Sequence, residues 1–218
     1  MMSTQTSAGA VKAAQAFSFF IHSAREDHRS VDGETYLKLI KLLWAADRLS
    51  LRHCGQTVSE DRYSAMRYGP VASEAYSLVG ACKPGAPAPT TWCSSEDSEW
   101  WRDHFEAGVS ELQLIRDPGD DHLSCADTMM LEKAYAAFRT TPRFVMADDI
   151  SHRYPEWTRA FTRGNPRTSS VDIDMEDFFA DPDDGKFDYF HVDADTLNAA
   201  REFYRERQEM AVALGFTR

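Results

Sequence analysis

The chain has 218 residues, a formal net charge of −11, and 43% hydrophobic and 27% charged residues. A chain of this size and make-up buries about 70% of its unfolded surface and needs no disulfide or metal staples. The charge argues against a nucleic-acid binder driven by phosphate neutralisation and suits solubility or a basic protein partner; no run approaches the ~18 apolar residues of a membrane span.

The start, MMSTQTSAGAVK, has no basic stretch followed by an apolar core, so no secretory leader is expected. Cys54, Cys82, Cys93 and Cys125 stand far apart without a CxxC pair. Reduced thiols in a cytoplasmic protein are the expectation. Val11, Ala14, Phe17, Ile21 and Ala24, with Phe20, mark a first amphipathic helix.

The chain is organised around residues 32–80. Tyr36, Leu39, Ile40, Leu43 and Trp44 share one helical face, which Leu37 and Leu42 widen, so this helix is expected to be buried. Asp32 is its expected N-cap and Gly55 its stop. Residues 59–66 read as a short helix or turn. Arg67-Tyr68-Gly69-Pro70 then leads into a helix over 70–80, with proline suited to its first position. The backbone N–H groups at Gly69 are uncovered there and can accept a carboxylate or phosphate; a tight turn between helices is the plainer reading.

Three prolines within residues 84–89 mark 83–91 as a linker. Residues 94–108, with Trp100, Trp101 and Phe105 among acids, read as a short surface helix. Residues 112–116 and 122–123 flank Pro118-Gly119 and predict a small hairpin, the one expected sheet. Ser124 with Asp127 predicts a capping-box start to a helix whose inner face is Leu131, Ala134, Tyr135 and Phe138. Thr141-Pro142 opens the next helix, with Phe144 and Val145 pointing inward, and residues 163–170 read as a second linker. From 171 to 195 many acids (Asp174, Glu176, Asp177, Asp181, Asp183, Asp184 and Asp188 among them) alternate with Phe178, Phe179, Phe187, Tyr189 and Phe190. Such a segment either anchors on a basic, partly apolar groove or packs its aromatics onto the domain. Asp195 is expected to cap a last helix carrying Leu197, Arg201, Tyr204, Gln208 and Ala211 on one face, ending at Gly215.

Lys38-Leu39-Ile40-Lys41-Leu42-Leu43, Gly55, and Tyr63-Ser64-Ala65-Met66-Arg67-Tyr68-Gly69-Pro70-Val71 closely resemble the Panacea domain, the SocA-like antitoxin family. Leu123-Ser124-Cys125-Ala126-Asp127 and Ser151-His152 with Pro155-Glu156-Trp157 extend the resemblance, in order, over residues 10–160. The fold expected is mainly α, a compact helical domain around a buried central helix with one small β-hairpin. Residues 10–160 would form the antitoxin domain, and 171–218 an acidic-aromatic segment and helix packed on it or extending it.

The resemblance implies an antitoxin that neutralises a co-encoded toxin by direct binding. The alternative it implies is an adaptor that delivers the toxin to a protease. Many relatives carry an N-terminal DNA-binding module, for which there is no room ahead of Val11, so transcriptional autoregulation is in doubt. The candidate toxin-binding residues are Arg67, Tyr68, Gly69, Pro70, His152 and Trp157, together with Asp174, Glu176, Asp177, Phe178, Phe179, Tyr189 and Phe190. The toxin is expected to offer a basic surface.

No catalytic residue, metal or other cofactor is expected, and no nucleic-acid or membrane partner; GxSxG, HExxH and P-loop patterns are lacking. Asp172, Asp174 and Glu176 imitate a calcium loop whose required glycine is Asp177 here. Two rival readings remain: a metal-dependent hydrolase on Asp148, Asp149 and His152, and a DNA-binding regulator using Arg153, Arg159, Arg163 and Arg167.

Overall fold

Helices α1 (Ala8–Glu26) and α2 (Tyr36–Cys54) open the chain in the computed structural model, which describes residues 6–86, 92–164, 170–182 and 189–215. Helix α1 turns Val11, Ala14, Phe17 and Ile21 inward, as its periodicity predicts. Every residue from Lys38 to Arg52 of α2 is buried, so this helix is the axis of the fold. Gly55 ends it in the left-handed conformation (φ 69°). The start differs from expectation: Thr35 is the N-cap. Asp32 (φ 61°) instead accepts from the backbone N–H and the guanidinium of Arg143, each at 2.9 Å.

Strands β1 (Tyr63–Met66) and β2 (Gly69–Ala72) form an antiparallel hairpin with Arg67 and Tyr68 in its turn. This corrects both the reading of 59–66 as a short helix or turn and that of Pro70 as a helix start. Proline is tolerated because β2 is an edge strand, where a missing N–H costs no ladder bond. Helix α3 (Ser73–Ala81) begins three residues later. Its first N–H groups, those of Glu74 and Ala75, donate to the buried Asp61 carboxylate at 3.0 and 2.8 Å. The helix start read as open to an anion is thus closed by the chain's own acid.

Helix α4 (Ser95–His104) is no surface helix: Trp101 is fully buried, edge-on to Phe17 at 5.7 Å, and its indole donates to Ala10 O at 3.0 Å. Strand β3 (Phe105–Ala107) follows and pairs with β4 (Leu112–Leu114). The hairpin expected around Pro118-Gly119 is not formed. Gln15 of α1 holds that loop instead, donating to Pro118 O at 3.1 Å and Asp121 at 2.7 Å and accepting from His122 N–H at 3.0 Å.

Helix α5 (Cys125–Phe138) has the expected Ser124–Asp127 capping box and inner face. A π-helix, Val145–Ile150, and a 3-10 turn, Ser151–Arg153, lead to α6 (Pro155–Arg163). Phe144 and Val145 are exposed, opposite to expectation, because the wider π turn buries Met146, Ala147 and Ile150 instead. Strand β5 (Ser170–Asp172) adds to β1, giving the order β2-β1-β5. The centres of both expected linkers, 87–91 and 165–169, lie outside the described residues, as do Asp183, Asp184, Phe187 and Asp188. Helix α7 (Ala194–Ala213) is capped by Asp193, which accepts from Thr196 N–H at 2.9 Å, rather than by Asp195. The chain is mainly α around a buried central helix; among the described residues one three-stranded and one two-stranded sheet replace the single hairpin.

Four buried cations on α2 tie the other segments to it. Lys38 donates to the carbonyls of Phe138 (2.7 Å) and Thr141, and Lys41 to that of Pro70 (2.7 Å). Arg48 meets the Glu156 carboxylate at 2.5 Å and Ala180 O at 2.7 Å. Arg52 donates to Phe190 O (3.0 Å), Phe178 O (3.1 Å) and the Asp181 carboxylate (2.6 Å). Glu156 and Arg48 are both fully buried, and Trp44 donates to the second carboxylate oxygen at 3.0 Å. Removing one partner of such a pair strands a charge in the core. Glu156→Ala should therefore lower the unfolding free energy by about 3–5 kcal/mol in urea titrations. A loss under ~1 kcal/mol would mean that this pair does not hold α6 to α2.

Candidate functional site

The β1–β2 hairpin, the π-helix and α6 meet at one face. Arg67 and Tyr68 are exposed at the hairpin tip, while Gly69 and Pro70 are buried beneath it. Gly69 has φ 92°, and a side chain there would stand 2.1 Å from Ser151 Oγ and 2.8 Å from Lys41 Nζ. The hairpin therefore rests directly on the 3-10 turn and on the tip of Lys41. Burial pushes the Lys41 amine down to about 7, with the Asp148 carboxylate acting the other way.

Three rings stack beside the hairpin. His152 lies 3.8 Å from Trp157 at an interplanar angle of 15°, and Trp157 lies 4.6 Å from Phe161, also at 15°. The Trp157 indole donates to Met66 O at 2.8 Å, which locks the stack to β1. Burial and the Lys41 cation hold His152 below the ordinary histidine pKa, against Asp148 and the Arg67 backbone. Among the described residues its buried Nε2 has no hydrogen-bond partner. A second ring pair, Tyr68 and Phe144, stands 6.2 Å apart. The Arg67 guanidinium covers Tyr68 at 5.4 Å and that of Arg143 covers Phe144 at 5.0 Å. Tyr68 (41%), Phe144 (50%), Val145 (37%) and Phe161 (43%) each keep a large exposed area.

Six of the residues singled out in the sequence, Arg67, Tyr68, Gly69, Pro70, His152 and Trp157, thus come together. Those of the acidic segment are placed differently. Phe178 is buried edge-on to Tyr63 at 5.1 Å. Phe179 packs on Tyr204 at 5.7 Å, and Phe190 packs between Trp44 and Tyr154 at 5.4 and 5.1 Å. These three rings belong to the core, and Tyr189 of the same segment is exposed, against Phe138 at 4.9 Å. Asp174 accepts from Glu176 N–H at 3.0 Å. Glu176 is held by Arg205 and Arg201, each at 2.8 Å, and the Arg205 hydrogen bond above all keeps its pKa below the usual range. Asp177 is held by Arg159 (2.7 Å) and Arg163 (3.1 Å) of α6.

Phe144, Val145 and Phe161 were missed by sequence reading. A helical period turns Phe144 and Val145 inward, and only the π turn, which no residue pattern announces, turns them out. Among the described residues no group of three or more His, Cys, Asp and Glu side chains could hold a metal ion. The Lys41 amine and the Ser151 hydroxyl are buried beneath the hairpin. The arrangement is a partly exposed group of rings over a buried polar base.

A family model described as Antitoxin SocA-like, Panacea domain, matches residues 39–158. Among curated proteins and solved structures, nothing matches.

Two measurements probe the base of this face. Gly69→Ala should cost more than about 1 kcal/mol, since it adds both backbone strain and a clash with Ser151; unchanged stability would place the hairpin off the 3-10 turn. Lys41 falls from an ordinary 10.5 to about 7, and Lys38 to about 8, both through burial. Between about pH 7 and 9 these two amines leave the unfolded chain with more protons than the folded one, so stability should rise with pH there; above 9 the Cys82 thiol, which burial pushes up to about 12, acts the other way. Lys41→Met should remove the part of that rise that begins near pH 7, as read by urea midpoints across the range. An undiminished slope would assign it to other groups.

Proposed function

Because this chain belongs to the SocA-like antitoxin family with a Panacea domain, we propose that it neutralises a co-encoded toxin by direct protein–protein contact. Membership implies a toxin partner in general. The observation that carries the direct-contact reading is the partly exposed ring cluster, most of which lies on the family's own segment. Arg67, Tyr68, His152 and Trp157 all fall within residues 39–158. Rigid aromatic side chains beside arginine are the groups that dominate protein interfaces, because they bury a large area at little entropic cost.

In this reading residues 10–160 are the antitoxin domain and 171–218 a strap bound to it. The strap's buried aromatics and the arginines of α2 stabilise the domain, while Asp172 and Asp174 lie on the surface. The expected basic toxin surface has support only from these outer groups. Deleting 171–195 would strip three rings from the core, so point substitutions are the cleaner test of contact.

Co-expression with the product of the adjacent gene, followed by size-exclusion chromatography of the mixture, tests the function. Rescue of growth together with a stable complex is the expected result. Rescue that vanishes in a protease-deficient host would replace direct neutralisation with delivery to a protease. Absence of both rescue and complex would refute the antitoxin reading.

A further inference from the structure

We infer that the hairpin face takes a toxin segment carrying a carboxylate next to an aliphatic or aromatic side chain, the carboxylate on Arg67 and the apolar group over Tyr68 and the Trp157–Phe161 stack. This rests on the antitoxin reading above and gives the contact a sign opposite to the one implied by the net charge of −11.

Four carboxylates of the acidic strap are engaged within the chain, while Asp172, Asp174 and Asp195 are exposed. Asp177 is shared by Arg159 and Arg163, Glu176 by Arg201 and Arg205, and Asp181 by Arg52. Asp193 caps α7. Part of the acidity that would suit a basic partner is therefore spent locally. At the hairpin tip the position is reversed. Arg143 already has Asp32 at 2.9 Å. The Arg67 guanidinium lies over the Tyr68 ring with no ion pair among the described residues, on an exposed turn. A guanidinium stacked on a ring keeps its edge N–H donors free for a carboxylate, which it can take in a two-pronged bond.

The rings supply the other half of the site. Trp157 is fixed through Met66 O and stacked on both sides, so it and Phe161 present a preformed apolar step, with little rotamer freedom left to lose on binding. Tyr68 and Phe144 form a second wall, set outward by the π turn. Asp148 and Asp149 are exposed on the rim of this face and repel an acidic residue placed near them, which confines the partner's carboxylate to the Arg67 side.

The test measures affinity for the purified toxin by biolayer interferometry with four variants, each checked for an unchanged melting temperature. Arg67→Glu should weaken binding roughly tenfold or more, as should Tyr68→Ala and Phe161→Ala, while Val109→Ala, on a fully exposed loop far in sequence from this face, should bind as the unchanged protein does. Association should slow as salt is raised, and the Arg67→Glu variant should lose that dependence. A toxin that does not bind the unchanged protein would refute the antitoxin reading and this inference together. Binding by the unchanged protein with all three face variants equally tight would refute this inference alone. Tighter binding by Arg67→Glu would show that the partner's segment is basic and overturn the assigned chemistry.

Discussion

Four cations with no access to water hold this protein together. Lys38, Lys41, Arg48 and Arg52 lie along α2 at full burial. Each offsets its desolvation by donating to carbonyls or carboxylates of segments far away in sequence. The arrangement is reciprocal. The carbonyls reached lie at the end of α5, on the edge strand β2 and in the irregular strap, and a buried carbonyl left unpaired costs about 1–3 kcal/mol. The helix supplies the donors that the loops lack. The end of α5, the hairpin, α6 and the acidic strap are all clamped to one rod, and none can shift alone without stranding a charge.

This explains how a face built from a two-residue turn and a π-helix can be rigid. Turns and π turns have poor internal hydrogen bonding and would be mobile in isolation. Here Lys41 grips Pro70 from behind, Ser151 fills the space that Gly69 leaves, and the Trp157 indole reaches Met66 O. The polar groups face the interior, and Tyr68, Phe144 and Phe161 face solvent. What emerges is an apolar step on a stiff base, and preorganisation of that kind favours tight binding without a deep pocket.

The strap shows why charge patterning misleads. Acids interleaved with aromatics read equally well as a free inhibitory arm or as a packed edge. The choice depends on α2, whose Arg52 collects Phe190 O, Phe178 O and Asp181 and so draws the phenylalanines inside. The π turn is a similar case. Phe144 and Val145 sit at positions that a 3.6-residue period sends inward, and one extra residue per turn reverses them. The hairpin was misread because Gly69-Pro70 looks the same before a helix as at the start of an edge strand. Only the pairing partners, Tyr63 to Met66, separate the two.

Local rules alone determined the central helix, its Gly55 stop, the α1 face, the Ser124–Asp127 capping box and the ordered motifs of the family. Each depends on side chains within a few residues of one another, and periodicity records such short-range terms directly. Tertiary structure decided the small sheets, the inward strap, the outward Phe144 and Val145, and the ring stack of the candidate site. Those features depend on which distant carbonyl a buried lysine or arginine reaches, across separations such as 100 residues for Lys38 and Phe138 or 138 for Arg52 and Phe190. A cation on an apolar helix face shows that such a partner must exist, but its chain position gives no sign of which one.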